Sequence, residues 1–533
     1  MILKFPLFIS SLCIGIVAQS QTIQISVDAL LGQKKISPSI YGRNNSTSDN
    51  PSKPVSAAQW QLLKDAGVKL LRENQGNNAT KYNWRKKLSS HPDWYNNVVH
   101  HDWDYAAKEM QRNVPEMQQM WALPLLGFVA KDSSYNFNCI PLDNCRGSNN
   151  EANFCANGDA SKYLEPWAPD SAVGILNYWL KDLKLNPKSL VYWNMDNEAE
   201  IWSEKHDDII TKTFSAEEYI QKYVAVAKRA KAIFPEIKLV GPAFSNEWRW
   251  YNWNEVKIET PNGQKYTWVE YFIKRIAEEQ KASGVKLVDV LDFHLYPESD
   301  PSLTLQVHRI WYDTSWVFPK ANGIKRLGPT DWNDYQNKEF IFERCKNWLR
   351  QYMGENNGVT FGVSEYGQIY KDDPNVVACW YASHLGTFAE NDVELFSPWD
   401  WYTGMWEVIH LFTKYAGTVR VASSSSMNDV VSAYSSLNPK GDSLTIILVN
   451  KDLEKSQDVS LSLSNFMASN GSATMYRLSD LPKTETFISA SNNALKQSNV
   501  TIVNNKVQIS LPKLSISAIV IKAKKVVKII GLK

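Results

Sequence analysis

Net charge is almost absent from this sequence. Its 533 residues contain 58 Lys and Arg against 56 Asp and Glu, a formal net charge of +2. Binding to nucleic acid or to an anionic membrane surface normally uses a strongly basic domain, so no nucleic-acid partner is expected for the chain as a whole. The basic tail at residues 526–533 is interpreted as a solvated terminus.

Long apolar runs are also missing. The apolar stretch from Phe5 to Ala18 is shorter than the about 20 residues that a membrane-spanning helix needs, so no membrane span is expected. Lys4 precedes this stretch, and Ala18-Gln19-Ser20 at its end places small residues at the spacing of a signal-peptide cleavage site. Residues 1–20 are therefore predicted to be a signal peptide cleaved near Ser20. This predicts a secreted protein, which is extracellular, periplasmic or on the cell surface.

Cysteine is scarce, and the sequence has 6 of them. Cys13 lies in the predicted signal peptide, and the other five must leave at least one thiol unpaired. Cys139 with Cys145 or Cys155 is a plausible loop disulfide, and the spacing leaves the pairing open. No C-x-x-C or H-E-x-x-H motif occurs, so a zinc site has no support.

Aromatic residues, by contrast, are abundant, with 21 Trp, 24 Tyr and 19 Phe. Aromatic rings fill protein cores, and their faces also stack on sugar rings. For any single tryptophan, core packing is an equal alternative to sugar binding. The candidate sugar platforms are Trp202, Trp311, Trp399 and Trp401.

The middle of the chain alternates short apolar runs with stretches of helical periodicity, such as Ala216 to Phe234. Eight runs are predicted as strands: 36–41, 68–71, 123–129, 190–195, 237–240, 288–296, 359–363 and 393–396. Strands that are apolar throughout are typical of a parallel sheet covered on both faces. The pattern predicts an α/β fold, a (β/α)8 TIM barrel, as the catalytic domain over residues 36–412.

Beyond Phe412 the pattern changes to alternating apolar and polar residues separated by turn sequences. Residues 413–525 are therefore predicted to form a C-terminal antiparallel β-sandwich domain. The stretch from Thr22 to Val27 alternates in the same way. Residues 21–35 are expected to add an N-terminal strand to this sandwich.

Two segments end an apolar run with a glutamate: YWNMDNE at 192–198 and FGVSEY at 361–366. Glu198 and Glu365 then follow the fourth and seventh predicted strands, at the end of the barrel where active sites lie. Hydrolysis of a glycosidic bond needs two facing carboxyl groups, one to donate a proton and one to attack or to activate water. The pair is therefore the candidate catalytic centre.

Several segments resemble glycoside hydrolase family 44 and follow one another in that family's order. Between Ile36 and about Tyr476 they are ISPSIYG at 36–42, RENQGN at 72–77, LPLLGFVAKD at 123–132, DNE at 196–198, VGP at 240–242, DFHLYPE at 292–298 and SEY at 364–366. Each segment alone is a weak signal. Their shared order along the chain carries the resemblance.

The resemblance implies an enzyme that retains anomeric configuration, with Glu198 as acid/base and Glu365 as nucleophile. The two carboxyl groups of such enzymes stand about 5 to 5.5 Å apart. Asn197 is implied to bond the sugar 2-hydroxyl and Tyr296 to bond the nucleophile. Ala199 stands where a proline is common in the family, which alters the turn after Glu198.

Two further residues are expected at the substrate-binding end. Arg72, at the end of the second predicted strand, can hold Glu365 charged, with a structural ion pair as the alternative. His294 lies two residues before Tyr296 and is expected to point to the same side of the sheet. Its alternatives are a substrate contact and a hydrogen-bonded core histidine.

The resemblance implies an endo-acting enzyme that cleaves β-1,4-glycosidic bonds of glucans: cellulose derivatives, xyloglucan, mixed-linkage glucan and glucomannan. An endo-β-1,4-mannanase or xylanase on the same scaffold, an exo-acting glycosidase, and a catalytically silent polysaccharide-binding protein are the alternatives. No cofactor is required for the chemistry. A structural calcium is common in the family, although the motifs do not identify its ligands, and a monomer is expected.

Overall fold

The computed structural model describes residues 22–91, 97–136, 160–254, 256–319, 338–469 and 471–530. The predicted signal peptide and three of the cysteines, Cys139, Cys145 and Cys155, lie outside these ranges. Cys345 and Cys379 are buried free thiols. No helix in the described ranges is long and apolar enough to cross a membrane.

Eight parallel strands form the barrel, and each is hydrogen-bonded to the next in chain order. They are Gly42–Asn44, Leu70–Arg72, Gln118–Ala122, Tyr192–Asn194, Lys238–Phe244, Val290–Leu295, Thr360–Tyr366 and Val393–Phe396. Nearly all of their residues are buried, as expected for strands with helices outside and packed side chains inside. The predicted TIM barrel is confirmed.

The first and third predicted strands were wrong. Run 36–41 contains a 3₁₀ turn, Pro38–Ile40, because Pro38 lacks the N–H a ladder needs, and the strand begins at Gly42. The third strand is Gln118–Ala122, whose glutamines hid it from a search for apolar runs. Much of the predicted run 123–129 is a buried loop beyond the strand's end.

The barrel closes between its first and eighth strands. The Asn44 amide donates to the carbonyl of Pro398 at 3.3 Å, just beyond the end of the eighth strand. A side chain at Gly42 would collide with the carbonyl oxygen of Phe396. Glycine is therefore required here for the two strands to approach.

Eight helices follow the strands in turn: Ala57–Ala66, Trp103–Asn113, Pro169–Asn177, Ala216–Ile233, Trp268–Ser283, Ile341–Met353, Pro374–Glu390 and Met405–Tyr415. The fourth shows why they form. Ser215 and Glu218 make a reciprocal capping box at its start. Tyr219, Tyr223 and Ala227, each four residues from the next, are buried on one face against the barrel.

Shorter elements decorate the barrel. The short helices are Asn77–Thr80, Trp202–Lys205 and Pro301–Gln306, with a π-helical turn at Tyr178–Asp182. Further 3₁₀ turns are Ala160–Lys162, Pro187–Ser189, Ala199–Ile201 and Val307–Trp311. Three small hairpins pair Leu88–His91 with Asn97–His100, Phe128–Ala130 with Leu164–Pro166, and Ile258–Glu259 with Lys265–Tyr266.

The second domain is a sandwich of two sheets with its own apolar core. Its strands are Ile23–Asp28, Val419–Ser425, Val431–Leu437, Ser443–Asn450, Gln457–Ser464, Ser472–Leu478, Lys496–Thr501, Lys506–Leu511 and Ser515–Lys522, with Lys34–Lys35 added at one side. Strand Val419–Ser425 joins the sheets, pairing with Val431–Leu437 along its first half and Ile23–Asp28 along its second. The N-terminal strand thus joins the sandwich, as predicted.

One detail of the sandwich differs from the prediction of an antiparallel fold. Ile23–Asp28 lies parallel to Gln457–Ser464, so the sheet is mixed. The two domains meet where helix Pro374–Glu390 packs on the sandwich. A side chain at Gly386 would collide with the ring of Tyr434. The Tyr434 hydroxyl donates to the carbonyl of Ser383 at 3.2 Å, which fixes the two domains together.

Candidate active site

Glu198 and Glu365 meet at the C-terminal end of the barrel, the end at which TIM-barrel active sites lie. Glu365 is the penultimate residue of the seventh strand. Glu198 follows the fourth strand by four residues. Oxygens of the two carboxylates and a ring nitrogen of His294 all lie within 4.8 Å of one another.

Glu365 is buried, at 5% exposure, and is surrounded by donors. The Tyr296 hydroxyl donates to its Oε2 at 2.5 Å, and Arg72 Nη1 lies 3.0 Å from its Oε1. Burial acts to raise the pKa of Glu365, but the charges of His294 and Arg72 and the Tyr296 hydrogen bond outweigh it and lower that pKa. The surroundings therefore favour an ionised Glu365.

Glu198 sits in a different environment. Its backbone is left-handed, with φ 44° and ψ 54°, an uncommon conformation for a non-glycine residue. His294 Nδ1 lies 2.8 Å from Glu198 Oε1 and 3.5 Å from Glu365 Oε2. Burial acts to lower the pKa of His294, while Glu365 and Glu198 raise it, and the net direction is upward. His294 thus stands between the two carboxylates.

Asp196 holds the turn that carries Glu198. It is also left-handed, with φ 65°, and it is 1% exposed. Its carboxylate accepts from the Thr80 hydroxyl at 2.6 Å and from the amides of Leu125 at 2.5 Å and Asn197 at 2.8 Å. Burial raises the pKa of Asp196 to about 6 in spite of these hydrogen bonds. One helix end and two loop segments are therefore tied to one carboxylate, which compensates for backbone strain beside Glu198.

A cavity of about 540 Å³ opens above the two glutamates. Its lining residues are Gln75, Gly76, Asn77, Asn78, Asn197, Glu198, Ile201, Glu204, Lys205, Ser245, Asn246, Arg249, Tyr296, Glu365, Gln368 and Trp399. Most of these side chains are polar or charged. The cavity is thus suited to a ligand rich in hydroxyl groups.

A larger cavity, of about 760 Å³, lies elsewhere, between Phe214, Trp253 and Tyr271. It contains neither of the paired glutamates. The chemistry therefore selects the smaller cavity, since volume alone places no acid or base beside a ligand.

Asn197 and Trp399 line the site, as expected for residues that contact a ligand. Asn197 Nδ2 donates to Asn77 Oδ1 at 3.3 Å, whereas its Oδ1 has no hydrogen-bond partner among the described residues. Trp399 presents its ring beside Gly76, and the Arg72 guanidinium lies 5.9 Å from the ring centroid. Trp399 is therefore placed where a ring can face the cavity.

The other three tryptophans lie elsewhere. Trp202 and Trp311 are 0% exposed in the aromatic core, so the prediction that they form sugar platforms is not compatible with their positions. Trp202 instead donates from Nε1 to the carbonyl of Asn197 at 2.7 Å. Trp401 is covered by Arg43 on one ring and packs on Trp406, with centroids 4.6 Å apart, outside the cavity lining.

A buried polar network beneath the site was missed by sequence reasoning. Asn44 accepts from Arg72 Nη1 at 2.9 Å and donates to the carbonyl of Ser364 at 2.8 Å. Asn194 receives Arg72 Nε at 3.4 Å and donates to Asp292 at 2.9 Å. The available signal was polar residues inside apolar strands, as in the segment VLDFHL at 290–295.

Glu198, His294 and Glu365 form a group that could hold a metal ion by residue type. Both ring nitrogens of His294 are already hydrogen-bonded, to Glu198 and to Ser364 Oγ at 3.0 Å, and Arg72 lies against Glu365. Calcium takes about six to eight oxygen ligands, and two carboxylates and one imidazole do not supply that number. The implied structural calcium does not fit these three residues.

The fold and this site define a class: a TIM-barrel protein with a facing carboxylate pair at its C-terminal end, the arrangement of barrel glycoside hydrolases. The sequence is similar to glycoside hydrolase family 44, whose model matches residues 88–299. That range contains Glu198, His294 and Tyr296 and ends before Glu365. The resemblance to this family that the motifs predicted is confirmed.

Two relatives match along the sequence. A beta-mannanase/endoglucanase A of Caldicellulosiruptor saccharolyticus is 23% identical over 499 residues, covering 83% of this chain and 35% of that protein. Endoglucanase A of Paenibacillus lautus is 22% identical over 314 residues, covering 53% of this chain and 41% of that protein. The chain thus spans less than half the length of these relatives.

Solved structures show the same fold over nearly the whole chain. CelM2, a bifunctional glucanase-xylanase from a metagenome library, has a TM-score of 0.77 at 19% identity, over 95% of this chain and 100% of that one. A Paenibacillus polymyxa family 44 xyloglucanase, solved with xyloglucan, has a TM-score of 0.71 at 18% identity, over 94% of this chain and 100% of that one. At such identities the likeness shows the fold.

Proposed function

We propose that this chain is a secreted, endo-acting glycoside hydrolase that cleaves β-1,4 bonds of glucans with net retention. The observation that carries the proposal is the approach of the Glu198 and Glu365 oxygens to within 4.8 Å. Carboxyl groups that activate water from opposite faces of the sugar, as in inverting enzymes, need about 6.5 to 9.5 Å. The shorter distance supports direct attack by one of the carboxylates.

Glu365 is the proposed nucleophile. Its lowered pKa keeps it ionised, and the hydrogen bond from Tyr296 orients it. Glu365 attacks the anomeric carbon, the bond to the leaving oxygen breaks, and that oxygen takes a proton from Glu198. The product of this step is a covalent glycosyl-enzyme. Arg72 and Tyr296 keep the attacking carboxylate in place throughout.

Glu198 is the proposed acid/base. In the second step its carboxylate takes a proton from water, the water oxygen attacks the anomeric carbon, and Glu365 leaves as a carboxylate. Two inversions at one carbon give net retention. Asn197, with an amide facing the cavity, is the proposed partner of the sugar 2-hydroxyl, and Trp399 the proposed platform for a ring.

A hydrolysis assay tests the proposal directly. Purified protein is incubated with carboxymethyl cellulose, xyloglucan, mixed-linkage glucan and glucomannan, and new reducing ends and viscosity are measured. Fast loss of viscosity with few new ends is expected for endo cleavage, whereas an exo-acting enzyme releases monosaccharide first. NMR of the first anomer formed should show the β configuration. No release from any β-1,4-linked glycan would refute the activity.

Mannan and xylan are the second substrate class, favoured by the names of two similar proteins, a beta-mannanase/endoglucanase and a glucanase-xylanase. Both are included in the same assay, and a higher kcat/KM on either would replace the glucan assignment. The proposed enzyme acts as a monomer and requires no cofactor. Treatment with a chelator is therefore expected to leave its turnover unchanged.

A catalytically silent polysaccharide-binding protein is the competing class. The charged, hydrogen-bonded Glu365 disfavours it, since binding alone requires no buried ionised carboxylate beside a second acid. Binding and turnover of wild type and Glu365→Gln are compared on one polysaccharide. Binding in both proteins with turnover in neither would support the silent class.

A further inference from the structure

Asp292 lies on the sixth strand beneath the two glutamates and is 0% exposed. The Ser364 amide donates to its Oδ1 at 2.9 Å, and the Ser364 hydroxyl donates to its Oδ2 at 2.6 Å. Asn194 Nδ2 donates to the same Oδ2 at 2.9 Å. A carboxylate that receives three donors acts only as an acceptor. Asp292 therefore takes the hydroxyl hydrogen of Ser364.

The hydrogen bond from the Ser364 hydroxyl to Asp292 determines how Ser364 can interact with His294. Ser364 Oγ lies 3.0 Å from His294 Nε2. Because the single hydroxyl hydrogen points to Asp292, the serine oxygen can only accept from His294. His294 therefore carries a hydrogen on Nε2, and the chain from Asp292 through Ser364 fixes the imidazole tautomer.

The other ring nitrogen, Nδ1, then becomes the position where the protonation of His294 varies. It faces Glu198 Oε1 at 2.8 Å, and Glu365 Oε2, which already accepts from Tyr296, lies 3.5 Å away. Without a proton between them, a carboxylate oxygen and an imidazole lone pair would face each other in a buried site. Two facing acceptors are unfavourable, so the Glu198–His294 pair retains one shared proton.

We propose that Asp292 and Ser364 are positioning residues that lock His294 in its Nε2–H form and thereby keep the catalytic proton on the Glu198–His294 pair. The inference rests on the proposed function, in which Glu198 must hold a proton when the leaving oxygen departs. Neither residue touches the substrate. Their effect reaches the reaction only through the tautomer of His294.

Removing the Ser364 hydroxyl should change the pH at which the Glu198–His294 pair loses its shared proton. In Ser364→Ala the Nε2 hydrogen loses its acceptor, so a neutral His294 can place its hydrogen on Nδ1 and donate to ionised Glu198. That stabilises the deprotonated pair. The basic limb of kcat/KM, which reports loss of the shared proton, should move to lower pH by about one unit. Asp292→Asn should act in the same direction, because an amide hydrogen facing Ser364 Oγ frees the serine hydroxyl to donate to Nε2.

The matched control is Ser383→Ala. Ser383 is also 0% exposed, its hydroxyl has no hydrogen-bond partner in the described part of the chain, and it lies on helix Pro374–Glu390 away from the cavity. Its pH profile should superimpose on that of wild type. A lower kcat/KM in Ser364→Ala at all pH values, with an unmoved basic limb, would show a merely structural role and overturn the proposal.

The tautomer itself is measured by NMR of 15N-labelled histidine at a pH above the basic limb, with the His294 signals assigned by their loss in His294→Gln. The expected result is Nε2–H in wild type and Nδ1–H in Ser364→Ala. An Nδ1–H form in wild type would overturn the proposal. This measurement needs no turnover, so an inactive wild type would refute the proposed function while the tautomer still decides the role of Asp292 and Ser364.

Discussion

The two ends of the barrel each combine acidic and basic side chains around a cavity of similar size. At the C-terminal end the cavity is about 540 Å³ and contains Glu198 and Glu365. At the N-terminal end a cavity of about 470 Å³ is lined by Lys238, Asp392 and Glu394 among others. The strands are the same, so the difference lies in how the charges are arranged.

At the N-terminal end each acid is already satisfied within the protein. Glu394 contacts Lys238 and accepts from the Tyr192 hydroxyl at 2.8 Å, and Asp392 lies 2.7 Å from Lys34. The lysines are 41% and 55% exposed, so water screens these pairs. Such a cluster adds modestly to stability.

At the C-terminal end the balance is different. His294 lies between the two carboxylates and Arg72 lies against Glu365, and all four side chains are nearly or fully buried. The site has two acids and one permanent cation, Arg72, and the charge of its other basic group, His294, depends on protonation. Comparing the two ends teaches that burial and unequal pairing, rather than the presence of charged residues, distinguish a reactive site from a structural one.

The largest effect is expected for Glu365→Gln. Loss of the nucleophile should lower kcat by at least about 10⁴-fold, because no other carboxylate can attack the anomeric carbon. The measurement is release of reducing ends, with circular dichroism to show that the fold is intact. Residual turnover within about tenfold of wild type would contradict the assignment of Glu365 as nucleophile. The C-terminal end of the barrel would then no longer be distinguished as the reactive end.

Glu198→Gln should lower kcat on polysaccharide by about 10² to 10⁴-fold, the usual contribution of general acid–base catalysis. A dinitrophenyl glycoside needs no proton on its leaving group, so its first step should be affected much less. Burst kinetics on that substrate separate the two steps. Equal losses on both substrates would show that Glu198 is not the acid.

Arg72→Met tests why Glu365 is ionised. Removing the cation should raise the pKa of Glu365, and the nucleophile must be ionised to attack. The acidic limb of kcat/KM should therefore move to higher pH by about one unit or more, with a loss of activity around neutral pH. Arg72→Lys retains the charge and should move the limb less. An unmoved limb in Arg72→Met would show that Arg72 does not control the charge of Glu365.

The smallest effect is expected for Glu394→Gln at the opposite end. The change removes an ion pair with the partly exposed Lys238 and weakens two hydrogen bonds, from the hydroxyls of Tyr192 and Thr360. It should lower the free energy of unfolding by no more than about 1 kcal/mol, seen as a slightly lower thermal midpoint. It should leave kcat unchanged. Loss of turnover in this variant without unfolding would show that the N-terminal end of the barrel also takes part in catalysis, and would contradict the proposed difference between the two ends.

Much of the barrel could be predicted because its strands are short, apolar and bounded by helical periodicity. The third strand could not, since Gln118 and Gln119 interrupt the apolar pattern, although Gln119 is buried by its neighbours. The prediction of the first strand was wrong for a related reason. Its Gly42–Asn44 segment has no apolar residue, and only closure of the barrel makes it a strand.

The candidate site divides in the same way. Glu198, Glu365, Tyr296, His294 and Arg72 could be chosen from sequence, because motif order names residue types that chemistry requires. Sugar platforms could not be chosen, since core packing and ring stacking use the same side chain. The structure buries Trp202 and Trp311 and leaves Trp399 at the cavity.

The sequence by itself determined the barrel, the sandwich built from both ends of the chain, and the pair of glutamates. These features follow from local periodicity and short motifs. Tertiary structure alone decided which groups touch that pair. Asp292, Ser364 and Asn194 lie on different strands, and only the register between strands brings them into one hydrogen-bonded network. Distances of a few ångströms between remote residues set charge and tautomer, and no local pattern contains them.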